Sequence, residues 1–324
     1  MVKLRFLLVF ILLTLIIGCN SEPNLKFQKQ GREVPEFSAD HAYQYVEDQV
    51  AFGPRVPNSE AHRETVQYLR NHFLETAGKQ SVYVQSFETE VYGDSLQLYN
   101  ILAAFGPEKQ DRILLAAHWD SRPRSDEEDD PEKRNQPILG ADDGASGVAV
   151  LMELATIFSE YELPIGVDII LFDGEDYGEK SDLENYFLGS RYWGNNPPVA
   201  GYNPRFGILL DMVGGQNAQF LKEGYSMDVA PNLVDEIWVI GQEFGYGDLF
   251  VNEMGQRIAD DHYIVERLTG IPMVNIIHHR ISPTGVLEFP PYWHTQNDTM
   301  DIIDQNTLQA VGDVLLELIY NRIP

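Results

Sequence analysis

Cysteine is nearly absent. The 324-residue chain contains one, Cys19, so no disulfide can form within it and the fold must be held by its core. Basic residues are also scarce, with 23 Lys and Arg against 50 Asp and Glu and a formal charge of −27. Such a polyanion does not bind nucleic acid through its phosphates, nor is it drawn by charge to an anionic membrane. The acidity serves solubility and says little about substrate. Long apolar runs are missing except near the start, and no internal repeat appears, which excludes solenoids and arrays. Nor is there a Gly/Ser linker or composition break between residues 40 and 324, so one domain is favoured over two.

The opening residues bear on the compartment. Lys3 and Arg5 precede the apolar stretch Phe6–Ile17, which is too short and wrongly flanked for a stable span. Ile16-Ile17-Gly18-Cys19 follows, which resembles the lipobox of bacterial lipoprotein signal peptides. That resemblance implies a signal peptide over 1–18 and a mature chain that starts at an acylated Cys19. Loss of Lys3 and Arg5 would take the charge to about −29. Residues 19–37, polar and carrying Pro23 and Pro35, are read as a tether, and 38–324 as the catalytic domain. The protein is then expected to be exported and lipid-anchored, facing the periplasm or the cell surface, and to be a monomer.

Periodicity predicts alternating helices and strands. Ser38 can cap a helix over 39–52, and Ser59 another that carries Val66, Leu69, Phe73 and Leu74 at helical spacing. Residues 82–91 alternate like a half-buried strand. Short apolar runs at 100–105, 113–117, 167–172, 206–210 and 271–277 read as further strands, several without alternation, as in strands buried on both faces. Helices are expected over 144–157, 232–244 and 307–320. This order implies an α/β fold, a single globular domain with a mixed, mostly parallel central sheet flanked by helices on both faces. The charge run 125–136 (SDEEDDPEKRNQ) reads as a solvated surface loop.

Acids and histidines punctuate the carboxyl ends of these strands. They are His118-Trp119-Asp120, Gly140-Ala141-Asp142-Asp143-Gly144, Asp173-Gly174-Glu175-Asp176 and Asp211, with Trp293-His294-Thr295 nearer the end. In an open α/β sheet that edge is where a ligand crevice forms. Carboxylate and imidazole together make a ligand set for zinc. The small residues Gly144-Ala145-Ser146-Gly147 allow close backbone approach at a helix start, which serves either the site beside Asp143 or plain packing on the sheet.

In that order, H-x-D, G-x-x-D-x-x-S-G, an acidic pair, a lone Asp and a late His resemble the zinc aminopeptidase family. Within it the chain is most similar to the bacterial glutaminyl-peptide cyclotransferases, or glutaminyl cyclases. The closer resemblance rests on His118-Trp119-Asp120-Ser121, Leu139-Gly140-Ala141-Asp142-Asp143, Phe172-Asp173-Gly174-Glu175-Asp176, Leu188-Gly189-Ser190, Leu210-Asp211-Met212, Asp260-Asp261-His262 and Trp293-His294-Thr295. It implies zinc ligands at Asp143, Asp176 and His294, a general acid/base at Glu175, and further catalytic acids at Asp211 and Asp260. Asp142 and Asp261 are the neighbours most easily confused with these. Trp293 is expected to wall the substrate pocket, with core packing as its alternative role, and Trp193 is a further pocket candidate for which helix packing is at least an equal alternative. His118 and Asp120 stand where a second metal or the support of the first would be. Residue types there permit one zinc or, in an aminopeptidase, two. Animal cyclases place a His where this chain has Asn275, which puts part of the hydrogen-bond network in doubt.

The activity so implied converts N-terminal glutamine of peptides and proteins to pyroglutamate with release of ammonia. In a zinc aminopeptidase the same Glu175 would instead activate water against a peptide bond. A catalytically dead binding lipoprotein is a third reading, opposed by the intact Glu175 and all three ligand positions.

Overall fold

Residues 25–324 are described by the computed structural model. The central sheet has six strands in the order β1-β2-β4-β3-β5-β8. These are β1 (Val82–Val91), β2 (Asp94–Phe105), β3 (Arg112–His118), β4 (Gly166–Phe172), β5 (Gly207–Asp211) and β8 (Met273–Ile277). The β1–β2 and β2–β4 pairings are antiparallel, whereas β4–β3, β3–β5 and β5–β8 are parallel. A small parallel pair, β6 (Phe220–Lys222) and β7 (Phe250–Met254), lies outside this sheet. The fold class expected from the sequence is therefore the one observed.

From β3 the chain steps to β4 on one side, then crosses back to lay β5 and β8 on the other. The reversal opens a crevice at the carboxyl ends of β3, β4 and β5. Buried β-branched and leucine side chains fill these strands on both faces, which is why they read as unbroken apolar runs.

One face is covered by α1 (Ala39–Ala51), α2 (Glu60–Thr76), α3 (Ala145–Glu160), α6 (Pro231–Glu243) and α8 (Gln305–Glu317), which enclose the main apolar core. The other face carries α4 (Leu188–Asn195) and α7 (Asp261–Thr269), with the short α5 (Gly224–Val229) packed beside β8. α3 is apolar almost all round because it is sandwiched between the sheet and other helices. Its first turn requires small residues. A Cβ on Gly144, whose φ is +101°, would lie 2.4 Å from the Asp120 carbonyl, and one on Gly147 would lie 2.4 Å from that of Leu210. Both roles open for this segment in the sequence are therefore present, since it packs on the sheet and abuts the site.

Ser38 and Ser59 cap α1 and α2 as their positions imply, each accepting from the backbone N–H three residues on. β2 begins six residues earlier than its apolar run, at a hairpin formed by Tyr92 and Gly93, both with positive φ. Its first half alternates with Ser95 and Gln97, which concealed it. The segment read as a tether is docked from Leu25 onward. Gln28 and Gln30 donate backbone hydrogen bonds to the carbonyls of Arg322 and Asn321, and Phe37 is buried against Gly312. Its apolar residues, Leu25, Phe27 and Val34, lie against the core among polar neighbours that masked them. Cys19 and the signal segment lie outside the described residues.

Candidate active site

The strand ends deliver His118 from β3, Glu175 and Asp176 from the turn after β4, and Asp211 from β5. Asp143 arrives on the turn before α3, and His294 on the loop ahead of α8. Asp143, Asp176 and His294 bring ligand atoms within 4.8 Å of one another, and so do His118, Asp143 and Asp211. Asp143 belongs to both groups. His294 Nε2 stands 3.5 Å from Asp143 Oδ2 and 3.4 Å from Asp176 Oδ2. His118 Nε2 stands 3.1 Å from Asp143 Oδ1 and 3.3 Å from Asp211 Oδ1.

The donor chemistry of the first group fits a zinc ion. Asp176 Oδ2 is buried yet has no hydrogen-bond donor, while Oδ1 is held by Arg122 Nη1 at 2.6 Å. A buried acceptor without a partner is costly, and a cation between Asp143, Asp176 and His294 would satisfy it. Three protein ligands with a position left open is the arrangement of a catalytic zinc site.

Beside these groups lies a cavity of about 270 Å³, lined by Glu175, Asp211, Asp260, Met212, Tyr186, Phe187, Phe289 and Trp293 among others. Trp293 stacks on His294 with ring centroids 3.7 Å apart and tilts against Phe289 at 4.4 Å. Phe187, Met212 and His294 all have positive φ, a costly backbone state for such residues that concentrates at functional sites.

Burial dominates the electrostatics. Glu175 is raised well above the usual carboxylate range by burial, with Asp176, Asp260 and Asp261 adding to the rise and His118 opposing it. Asp211 is pushed up to about 8 by burial and by the Asp260 and Asp143 charges, against the hydrogen bond from His118. Asp260 rises through burial as well. Asp176 is also buried, yet His294 and Arg122 hold it down at about 2. The two halves of the Glu175-Asp176 pair thus separate, one prone to carry a proton and the other held as an anion, which suits a proton carrier beside a metal ligand.

Two buried acids clasp the turns that carry these residues. Asp120 accepts from the backbone N–H groups of Glu175 and Asp176, at 3.1 and 3.2 Å. Asp298 does the same for Asp142 and Asp143, at 2.8 and 3.1 Å. Asp298 also ties the His294 loop to the Asp143 turn. Arg55, fully buried, donates to the carbonyls of Trp119, Leu139 and Gly140 and so joins the two turns from behind.

The model for peptidase family M28 matches residues 100–319. The chain belongs to peptidase family M28. A solved glutaminyl cyclase from Bacteroides thetaiotaomicron is 46% identical, with a TM-score of 0.84, over 89% of this chain and 99% of that one. A solved Zn-dependent exopeptidase from Parabacteroides distasonis is also 46% identical, with a TM-score of 0.85, over 90% and 100% of the two chains. Among curated proteins, the glutaminyl-peptide cyclotransferase of Bos taurus is 24% identical over 67% of this chain; the match spans 64% of the bovine protein's length, just under two thirds.

Within this M28 chain the expected site residues take distinct places. Asp143, Asp176 and His294 meet, Glu175 and Asp260 face the cavity, and Asp211 pairs with His118. Trp293 lines the cavity as expected. Asp120 stands behind it as a backbone clasp. Asp142 is buried with its carboxylate on Gly214 N and Tyr292 Oη, and Asp261 accepts from Ser190 Oγ at 2.5 Å, so neither faces the cavity. Trp193 does not reach it either. It is packed against Phe172 and Tyr202 on the far face of the sheet, the helix-packing role. Asn275, the departure from the animal pattern, donates from Nδ2 to Asp260 Oδ2 at 2.6 Å.

The charge run 125–136 requires a correction. Its first residues are docked into the site rather than solvated. Ser125 is buried, Asp126 forms a bidentate pair with Arg122 at 2.7 Å and lies 3.6 Å from His294 Nδ1, and Glu128 accepts from Gln296 N. The buried guanidinium of Arg122 draws Asp126 inward, which net charge alone does not reveal. Asp298, Arg122 and Arg55 were not found from the sequence. Their one signal was position, Asp298 lying four residues after His294 and Arg122 two after Asp120.

Asp298→Asn should lower zinc affinity by about 10- to 100-fold, because an amide has one acceptor oxygen for two N–H groups. Chelator titration with metal analysis reads this. An unchanged midpoint would contradict the clasp role.

Proposed function

We infer that this chain is a zinc-dependent glutaminyl-peptide cyclotransferase acting on peptides and proteins with an N-terminal glutamine. The observation that carries this reading is the 46% identity, over nearly the whole of both chains, to a solved glutaminyl cyclase. The cavity supports it: small, walled by Trp293 and Phe289, and ringed by the carboxylates of Glu175, Asp211 and Asp260 where an α-amine would sit. An excess of carboxylates over cations suits a metal ion and an amine together.

A zinc ion held by Asp143, Asp176 and His294 would supply Lewis-acid polarisation of the γ-carboxamide oxygen. The chain's own residues do the rest. The cavity holds the glutamine folded so that its α-amine lies against its own γ-carboxamide carbon, a proximity that replaces an external nucleophile. Asp211 and Asp260 accept hydrogen bonds from the amine and orient it. As the α-nitrogen bonds to that carbon, Glu175 takes one proton from the nitrogen. The carbon–nitrogen bond of the amide then breaks, and Glu175 returns the proton to the departing nitrogen, which leaves as ammonia. Atoms balance without water. The raised proton affinity of Glu175 suits a group that must both take and give.

One zinc per chain is our reading. His118 Nε2 already hydrogen-bonds the Asp211 carboxylate at 3.3 Å, whereas Asp176 Oδ2, 3.4 Å from His294 Nε2, has no hydrogen-bond donor. Mass spectrometry of a glutaminyl peptide after incubation tests the activity. Loss of one ammonia with every residue retained supports cyclisation; a peptide shortened by one residue would establish the aminopeptidase instead.

Anchoring through a lipid on Cys19, with the catalytic domain exported, is proposed from Ile16-Ile17-Gly18-Cys19. Among the described residues no helix is long and apolar enough to cross a membrane. Incorporation of labelled fatty acid that persists in Cys19→Ser would refute the anchor.

A further inference from the structure

Asp260 sits on a stretch of chain, residues 255–260, with no regular structure, yet it must hold a carboxylate steady against a reacting amine. The group that fixes this stretch is Glu223, a wholly buried side chain outside the cavity. Its carboxylate caps α5 by accepting from Tyr225 N at 2.8 Å and Ser226 N at 2.7 Å. A cap alone needs no more. Glu223 also accepts from Ile258 N at 2.8 Å, from Ser226 Oγ at 2.7 Å and from His262 Nε2 at 3.1 Å.

Two routes lead from these bonds to the site. The first is direct, since Ile258 lines the cavity two residues before Asp260. The second runs through side chains. Ser226 Oγ, with its one hydrogen given to Glu223, accepts from Asn275 N at 2.9 Å. Asn275 in turn donates from Nδ2 to Asp260 Oδ2 at 2.6 Å.

We propose that Glu223 is a positioning residue for the reaction, setting Asp260 through Ile258 and through the Ser226–Asn275 relay. The inference rests on Asp260 having the role assigned to it above. The Asn275 that departs from the animal pattern is then a working link.

The test is a double-mutant cycle on glutaminyl-peptide turnover. Glu223→Gln should lower kcat by about 10- to 100-fold, the range found for groups that support reacting residues, with KM and zinc content nearly unchanged. In an Asp260→Asn background the same change should cost little further. Ser226→Ala, which cuts the relay and leaves the cap's backbone bonds, should lower kcat in the same direction and serves if Glu223→Gln folds poorly. Losses that multiply in full across the cycle, or an unchanged kcat in Ser226→Ala, would overturn the proposal. The wild-type product tests the cyclase reading and the cycle tests this one, so either can fail alone.

Discussion

Glu175→Gln should lower kcat by about 10²- to 10⁴-fold while zinc content and melting temperature stay near wild type. The glutamine amide has almost the shape of the carboxylate but can neither take a proton from the attacking amine nor return one to the leaving nitrogen. Burial and three neighbouring acids hold the native carboxyl at a high proton affinity, so its function depends on ionisation that the amide lacks. Its backbone N–H would remain clasped by Asp120, which keeps the turn in place. Steady-state kinetics with ammonia detection, alongside metal analysis, reads the result. Retained kcat would remove the proton-transfer role, and lost zinc would mean that Glu175 supports the metal.

Removing the metal should have an effect of comparable size. Chelation, or His294→Ala, is expected to cost about 3 kcal/mol or more of transition-state stabilisation, a loss of at least 10²-fold in turnover. The fold should survive, unlike that of a domain built on structural zinc. Arg122 already compensates Asp176, Asp298 already holds the Asp143 turn, and the core is extensive and apolar. Circular dichroism of the metal-free protein should therefore match the native spectrum, and added zinc should restore activity to the chelated wild type. An unfolded metal-free chain, or full turnover by His294→Ala, would contradict the assignment.

Much of this site was legible because its residues follow buried strands. His118, Glu175, Asp176 and Asp211 stand at strand ends that apolar runs mark out, and Gly144 to Gly147 marks the turn beside Asp143. Residues that support the site were not legible in the same way. Asp298, Arg122, Arg55 and Glu223 act by closing hydrogen bonds between segments remote in sequence, and no local pattern records such closure. The 125–136 run shows the difficulty most plainly. Its charges read as solvated, yet the partner that buries the first of them, Arg122, looks like any other arginine until the chain is folded. α4, α5 and α7 were also missed as helices, being short, with Asp260 before α7 serving at once as N-cap and as cavity acid.

The central claim is that the substrate's own amine, rather than water, attacks the γ-carboxamide. Turnover of a glutaminyl peptide in water enriched in heavy oxygen tests it most directly. The account predicts a pyroglutamyl product with no label and one ammonia released per peptide. Heavy oxygen in a new carboxylate, on the side chain or on a released amino acid, would contradict it.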